Sequence, residues 1–281
     1  MIHKAIIPAA GYGVRNLPVT KAIPKEMFPI HGRPTIDYIV EEALLAGIHE
    51  ILIVLSRSKS SIMNYFDRSI ELEWFLAARG KEHLIPAIAP PKARIHYIRQ
   101  HEALGLGHAV LQGKSFAQGD PFAVLLPDQV SLSRKSMLSP LIRNSLLHSA
   151  SVLGLQTVPA SMLKQYGVVA AQRISNRVHH ISGIVEKPAA DPPSNLAIMG
   201  RYILQPSIFD ALEDTVPGIG GEIQLTDALV RICSTSPMIG YEFKEKWYDT
   251  SLERDYLRVQ QKANEMRRRD LNKKQAGNNR G

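Results

Sequence analysis

The sequence predicts an α/β fold, a mainly parallel sheet with helices on both faces, and three observations carry that expectation. Lys4–Ala9 (KAIIPA), Glu50–Ser56 (EILIVLS) and Pro121–Pro127 (PFAVLLP) are short, continuously apolar runs. Strands buried on both faces read this way, whereas half-exposed strands alternate. The stretches between them carry apolar residues at helical spacing. Two of the runs open directly into polar loops, at Gly11-Tyr12-Gly13 and at Asp128, as ligand-binding strand ends do in open α/β sheets.

In chain order, Lys4–Ala9 is a strand, and Pro18, Pro24, Pro29 and Pro34 then keep residues 14–34 from forming a long helix. Thr35–Ala46 has helical spacing and Gly47 stops it. A strand at Glu50–Ser56 follows, then helices at Lys59–Phe66 and Ile70–Ala78, a strand at Ile95–Ile98, a helix at Gly107–Phe116 and the strand before Asp128. Beyond Ala150, strands are expected at Ser151–Thr157, Tyr166–Ala171, Val178–Val185, Gly200–Leu204 and Ile239–Phe243, with helices at Ser207–Leu212, Glu222–Cys233 and from about Ser251. No linker interrupts the chain, so the second half is expected to extend the same sheet. Residues 1–257 are then expected to form one domain of two halves, 1–150 and 151–257.

Length and charge bound the function. The 281 residues carry a formal net charge of +8, from 34 Lys+Arg against 26 Asp+Glu. Six units of that charge belong to Arg258–Gly281, expected to be a basic helix end that loses order from about Lys273. The remainder is nearly neutral, and no aromatic residue interleaves with the tail's cations as single-strand binding would require. Cys233 is the single cysteine, which excludes an internal disulfide framework and a cysteine-based zinc site. No apolar run approaches the roughly 20 residues that span a bilayer, and the N-terminus lacks a signal-peptide pattern. A soluble cytoplasmic protein is expected, with no membrane partner.

The loop from Ala9 to Pro29 is the most informative segment. Two glycines after a buried strand let backbone N–H groups approach an anion. Arg15 offers a planar fork for phosphate oxygens and Lys25 a point charge. Asn16 stands where a dinucleotide fingerprint needs glycine, and the Walker spacing is absent. Residue types alone leave a phosphate loop and an ordinary surface loop equally open. Asp128 is likewise ambiguous, because aspartate is common in turns. His101, His108 and the adjacent pair His179-His180 read as surface or packing residues. Trp74 and Trp247 read as packing residues, and Glu222–Asp227 as the start of a structural helix.

The segment Ile23-Pro24-Lys25-Glu26-Met27-Phe28-Pro29, together with the glycine loop, resembles the bacterial UTP–glucose-1-phosphate uridylyltransferases among the nucleoside-diphosphate-sugar pyrophosphorylases. Arg99–Val110, Val124–Asp128, Glu186-Lys187-Pro188, Pro193–Tyr202 and Gly220–Ala228 are similar to further motifs of that family, in the same order. The resemblance runs from Met1 to about Tyr256. It implies the Rossmann-like mixed sheet of nucleotide-diphospho-sugar transferases and transfer of UMP from UTP to glucose 1-phosphate. It further implies catalytic roles for Arg15, Lys25 and Lys187, and Mg²⁺ held by Asp128 and Asp249. Nucleotide contacts fall to Ala9, Ala10, Gly11, Gly13, Glu26, Gln100 and Gly105. Gln100 would meet the amide edge of uracil as donor and acceptor together. Sugar contacts fall to Gly167, Glu186 and Lys187. A homodimer or homotetramer is implied, and nucleic acid is not an expected partner.

Four positions depart from the family pattern: Val14 for Thr, Asn16 for an aromatic residue, Gly32 for Asp and Ser251 for Gly. They leave a second reading open, a weakly active or inactive nucleotide-sugar-binding paralogue that modulates an active uridylyltransferase. A glycine at 251 would be needed if φ were positive there.

Overall fold

A computed structural model describes residues 2–278 and pairs the apolar runs into one nine-stranded sheet. The strands are β1 (Lys4–Ala9), β2 (Glu50–Leu55), β3 (Arg94–Arg99), β4 (Phe122–Leu125), β5 (Ser151–Thr157), β6 (Gly167–Ser175), β7 (Val178–Glu186), β8 (Leu196–Leu204) and β9 (Met238–Glu242). Their spatial order is β3-β2-β1-β4-β8-β5-β9-β7-β6. From β3 to β4 all neighbours are parallel. Strand β8 then runs antiparallel to β4 and β5, β9 returns parallel to β5, and β7 pairs antiparallel with β9 and β6. The sheet is therefore mixed, and its second half extends the first.

Successive side chains of a strand face opposite ways, so each apolar run feeds two cores. Ile7, Ala9, Ile51 and Ile53 join Ile36, Ile39 and Val40 of the helix Thr35–Leu45 on one face. Ile6, Leu52, Val54 and Val124 join Val110, Phe209 and Leu229 on the other. Both sides of the central strands are dry, which is why these runs contain no polar alternation.

The structure corrects several expectations. The helix Leu138–His148 was not anticipated, because its sequence contains Pro140; proline is tolerated there because it lies in the first turn. The helix expected at Gly107–Phe116 is two short helices, Leu106–Leu111 and Lys114–Ala117, broken where a Cβ on Gly113 would collide with the Ile6 side chain. The helix expected from Glu222 begins at Leu225, because the Ile223 backbone is hydrogen-bonded to Leu104 and Gly107. Trp74 is 76% exposed and not a packing residue. Its helix, Ile70–Ala78, lies against the Glu82–Ala87 turn and buries Leu76. Trp247 is buried as expected, and His179 and His180 face inward and outward respectively. The final helix runs Glu253–Asn278, past the point where order was expected to end, through Lys-Lys-Gln-Ala, which are good helix formers. Residues 279–281 of the expected disordered tail lie outside the described residues. Among the described residues no helix is long and apolar enough to cross a membrane.

One polar knot lies inside the apolar core. Arg201 of β8 has no solvent exposure. Its Nε and Nη2 donate to both carboxylate oxygens of Glu42 at 2.9 and 2.8 Å, and its guanidinium stacks over Trp247 at 4.7 Å. It also donates to the carbonyls of Leu126, Gly200 and Gln129 at 3.2, 2.9 and 2.9 Å. Removing one partner leaves the other as an uncompensated buried charge. Glu42→Ala is expected to lower the unfolding free energy by about 3–5 kcal/mol in urea titrations; a change under about 1 kcal/mol contradicts this assignment.

Candidate active site

Strand β1 delivers the glycine loop to the edge of a cavity of about 490 Å³. A Cβ on Gly11 would meet nothing within 4 Å, so its backbone faces open space. Gly13 has φ +68°, and Thr20 pins it: the Thr20 hydroxyl donates to the Gly13 carbonyl at 2.9 Å. The prolines leave only short turns at Val14–Asn16, Val19–Lys21 and Lys25–Met27. That path brings Arg15, Lys25 and Glu26 back to the same cavity.

Strand β4 delivers Asp128. The Lys25 ammonium lies 2.5 Å from its Oδ2. Asp249 ends a short strand, Trp247–Asp249, that pairs with Gln129–Ser131, and the Thr250 amide and hydroxyl donate to the Asp128 carbonyl at 2.8 and 3.0 Å. The two aspartates are thereby locked together. Ser251 donates from its amide and hydroxyl to Asp249 Oδ1 at 2.9 and 2.6 Å, and its oxygen accepts from Arg15 Nη1 at 3.2 Å. Ser251 does not have a positive φ, so the departure from glycine leaves the backbone path unstrained.

The charges of this cluster are unevenly met. Burial acts to lower the Lys25 pKa, but Asp128, Glu26 and Asp249 outweigh it and hold the ammonium above its ordinary value. Burial acts to raise the Asp128 pKa, and Lys25 outweighs that, holding it below the usual carboxylate range. Asp249 is pushed up, first by burial and then by the Asp128 charge, with Ser251 only partly offsetting both. Two close carboxylates thus share one nearby ammonium. No group of three or more His, Cys, Asp or Glu that could hold a metal occurs among the described residues.

The cavity brings together Ala10, Gly11, Gly13, Arg15, Lys25, Glu26, Gln100, Gly105 and Asp128 of the expected residues. Its lining omits Ala9, which is fully buried within β1, and Asp249, which lines a second cavity with Tyr166 and Trp247. The departing residues Val14, Asn16 and Ser251 line it as well, and so does Glu222. Gly105, at φ +104°, packs so closely under Glu222 and Ile223 that a Cβ would sit 2.8 Å from the Glu222 Cβ and the Ile223 carbonyl. The segment read as a structural helix start is therefore also a cavity wall. Glu26 is buried against Lys59, whose ammonium donates to Oε2 at 2.6 Å, while Oε1 is buried without a hydrogen-bond partner among the described residues. Sequence reasoning missed Lys59, since nothing in its local sequence marks it.

Gly167, Glu186 and Lys187 form a second cluster, outside that cavity's lining. Gly167 and Glu186 pair across β6 and β7. Glu186 lies 3.0 Å from the Lys187 ammonium and accepts from the Thr226 hydroxyl at 2.9 Å. Thr226, unnoticed in the sequence, thus orients Glu186 from the helix Leu225–Cys233. The two clusters share neighbours. Tyr166 accepts from the Lys187 amide, and its hydroxyl is pushed up to about 12 by burial and by Asp249. The buried Tyr202 hydroxyl is pushed well above its usual range by burial, then by Glu186 and Asp128.

A family model described as nucleotidyl transferase matches residues 4–266. A UTP–glucose-1-phosphate uridylyltransferase from Staphylococcus haemolyticus is 47% identical over 251 residues, 88% of this chain and 87% of the relative. One from Pseudomonas aeruginosa is 43% identical over 262 residues, 92% and 94% respectively. The crystal structure of a UDP-glucose pyrophosphorylase complexed with UDP-glucose superposes with a TM-score of 0.85 at 39% identity, covering 95% of this chain and 100% of that one. The UTP-bound enzyme of Acinetobacter baumannii gives 0.84 at 40% identity, covering 92% of each.

Two glycines of the cavity should respond differently to a methyl group. Gly105→Ala, strained in φ and driven into Glu222 and Ile223, is expected to lose about 1–3 kcal/mol in urea denaturation. Gly11→Ala, with space for its Cβ, should stay within about 0.5 kcal/mol of the unmodified protein. Equal losses would contradict this packing.

Proposed function

The chain belongs to the nucleotidyl transferase family, and from that premise we propose that it is an enzyme that transfers UMP from UTP to glucose 1-phosphate. The products are UDP-glucose and pyrophosphate. The observation that carries the reading is the convergence of Arg15, Lys25 and Asp128 on one cavity whose wall also contains Gln100 and Gly105. Cations and backbone amides stand together with a group suited to a base.

The reaction needs alignment and charge neutralisation more than a proton donor, because the attacking phosphate is already ionised. An oxygen of the glucose 1-phosphate phosphate attacks the α-phosphorus of UTP in line, and the bond to the β-phosphate oxygen breaks. In this reading the Ala10–Gly13 backbone lies along the triphosphate, and Arg15 grips the two phosphates that leave as pyrophosphate. Lys25 brings its charge to the α-phosphate. Lys187 meets the sugar phosphate, Glu186 accepts hydrogen bonds from the glucose hydroxyls, and the Gly167 backbone adds a further contact. Glu26, with its unpartnered Oε1, offers an acceptor to the nucleoside.

The donor set at Asp128 and Asp249 fits Mg²⁺. Both are hard oxygen donors, Asp249 lacks sufficient positive charge nearby, and Mg²⁺ sites typically use one or two carboxylates with phosphate oxygens and waters completing the shell. When bound, the ion would supply charge neutralisation to the phosphates.

The departures support turnover rather than a modulating paralogue. Val14 removes one hydroxyl, a loss of about 0.5–1.5 kcal/mol if that group met phosphate. Ser251 adds a link between Arg15 and Asp249 and removes nothing. Association into a homodimer or homotetramer is part of the proposal, supported by exposed Ile70, Leu72, Trp74 and Phe75 along one helix. A cytoplasmic location belongs to it too.

Pyrophosphate release from UTP and glucose 1-phosphate in Mg²⁺ tests the reading. Asp128→Asn and Lys25→Ala are each expected to lower kcat/KM by about 100-fold or more, Lys187→Ala to raise KM for glucose 1-phosphate, and chelation to abolish turnover. No release from any nucleoside triphosphate and sugar phosphate pair would sink it.

A further inference from the structure

Ser251 is 7% exposed and lines the cavity together with Arg15 and Asp128. Its hydrogen bonds admit one arrangement of protons. A guanidinium only donates, so the Ser251 oxygen accepts from Arg15 Nη1 at 3.2 Å and its own hydrogen turns to Asp249 Oδ1 at 2.6 Å. The Ser251 amide donates to the same carboxylate oxygen at 2.9 Å. One residue thus fills Oδ1 twice, and Oδ2 of Asp249 makes no hydrogen bond among the described residues.

The turn that carries Ser251 is fixed on both sides. Thr250 donates to the Asp128 carbonyl from its amide and hydroxyl, and the Leu252 amide donates to the Asp249 carbonyl at 3.0 Å. Arg15, by contrast, is exposed on the glycine loop, and Ser251 is the one hydrogen-bond partner of its side chain among the described residues. The serine is therefore the anchor and the arginine the anchored group. Glycine, which the family pattern has at this position, supplies the amide contact but neither hydroxyl contact.

We propose that Ser251 is a positioning residue that joins the metal site to the phosphate grip: its hydroxyl fixes Asp249 with Oδ2 open to the cation, and the same oxygen holds the Arg15 guanidinium beside that carboxylate. The inference rests on the uridylyltransferase reading above and on its Asp128–Asp249 metal pair. Hydrogen bonds that orient a ligating carboxylate typically cost about 10–100-fold in metal affinity or activity when removed. An arginine held in place before the phosphates arrive loses less freedom on meeting them.

Mn²⁺ alone, titrated into the full chain without nucleotide and followed by electron paramagnetic resonance, tests this. Ser251→Ala should weaken Mn²⁺ binding by about tenfold or more. Ser251→Thr, which keeps the hydroxyl, should stay within about threefold of the unmodified protein. In steady-state kinetics at saturating Mg²⁺, Ser251→Ala should also raise KM for UTP by about three- to tenfold, with KM for glucose 1-phosphate unmoved. Ser251→Gly replaces the alanine variant if that fails to fold. A merely structural role would lower stability and kcat and leave Mn²⁺ affinity unchanged, and that result overturns the proposal. So does a threonine variant that binds Mn²⁺ as weakly as the alanine one. An unmodified chain that binds no Mn²⁺ overturns the metal pair and this proposal with it. Absence of pyrophosphate release from UTP and glucose 1-phosphate, with Mn²⁺ binding intact, would instead overturn the uridylyltransferase reading.

Discussion

The exit of the chain from β4 places Asp128, and a buried guanidinium holds that exit. Arg201 donates to the carbonyls of Leu126 and Gln129, on either side of the Pro127-Asp128 turn. Gln129 returns the contact by accepting from the Gly200 amide at 2.7 Å. A Cβ on Gly200 would enter the Leu126 side chain, so only glycine lets β8 approach this closely. The cation is compensated by Glu42 from a different layer of the fold. Sheet, helix and the Pro127-Asp128 turn are tied through one side chain. An ion pair of this kind adds little net stability over an apolar replacement; what it adds here is a fixed backbone on both sides of Asp128, the proposed metal ligand.

From that turn the rest of the site follows by direct hydrogen bonds. Thr250 docks on the Asp128 carbonyl and brings Asp249 beside it, Ser251 fastens Asp249, and Arg15 reaches Ser251. The consequence is electrostatic. Two carboxylates are forced together in a buried place with Lys25 as their near cation, and Asp249 is destabilised in its charged form. In the proposed function that stored repulsion is the affinity for Mg²⁺, and the phosphates complete the neutralisation. A site of this type is preorganised around charge that arrives with its ligands.

Strands β1, β2 and β4 were legible because they are dry on both faces and leave uninterrupted apolar runs. The helix Leu138–His148 was not, because Pro140 and several polar residues mask its period. Trp74 shows another limit: hydrophobicity says a residue can be buried, not that its helix lies on the sheet. At the candidate site, the glycine loop, Lys25 and Asp128 sit at strand ends or beside prolines; residue type left them ambiguous, and the run of family-like motifs singled them out. Lys59 and Thr226 were not singled out, since each acts on a partner, Glu26 or Glu186, that only folding brings near. Ser251 looked like a defect in the chain and proves to be a connector.

The central claim is that one continuous site takes the whole nucleotide sugar, with base, phosphates and glucose each on its own residues. A crystal structure of this protein with UDP-glucose tests that most directly. The account predicts uracil against Gln100 and Gly105, the diphosphate between the glycine loop and Lys25, and glucose against Glu186 and Gly167. UDP-glucose with its nucleotide outside this cavity, or with its glucose remote from Glu186, would contradict it.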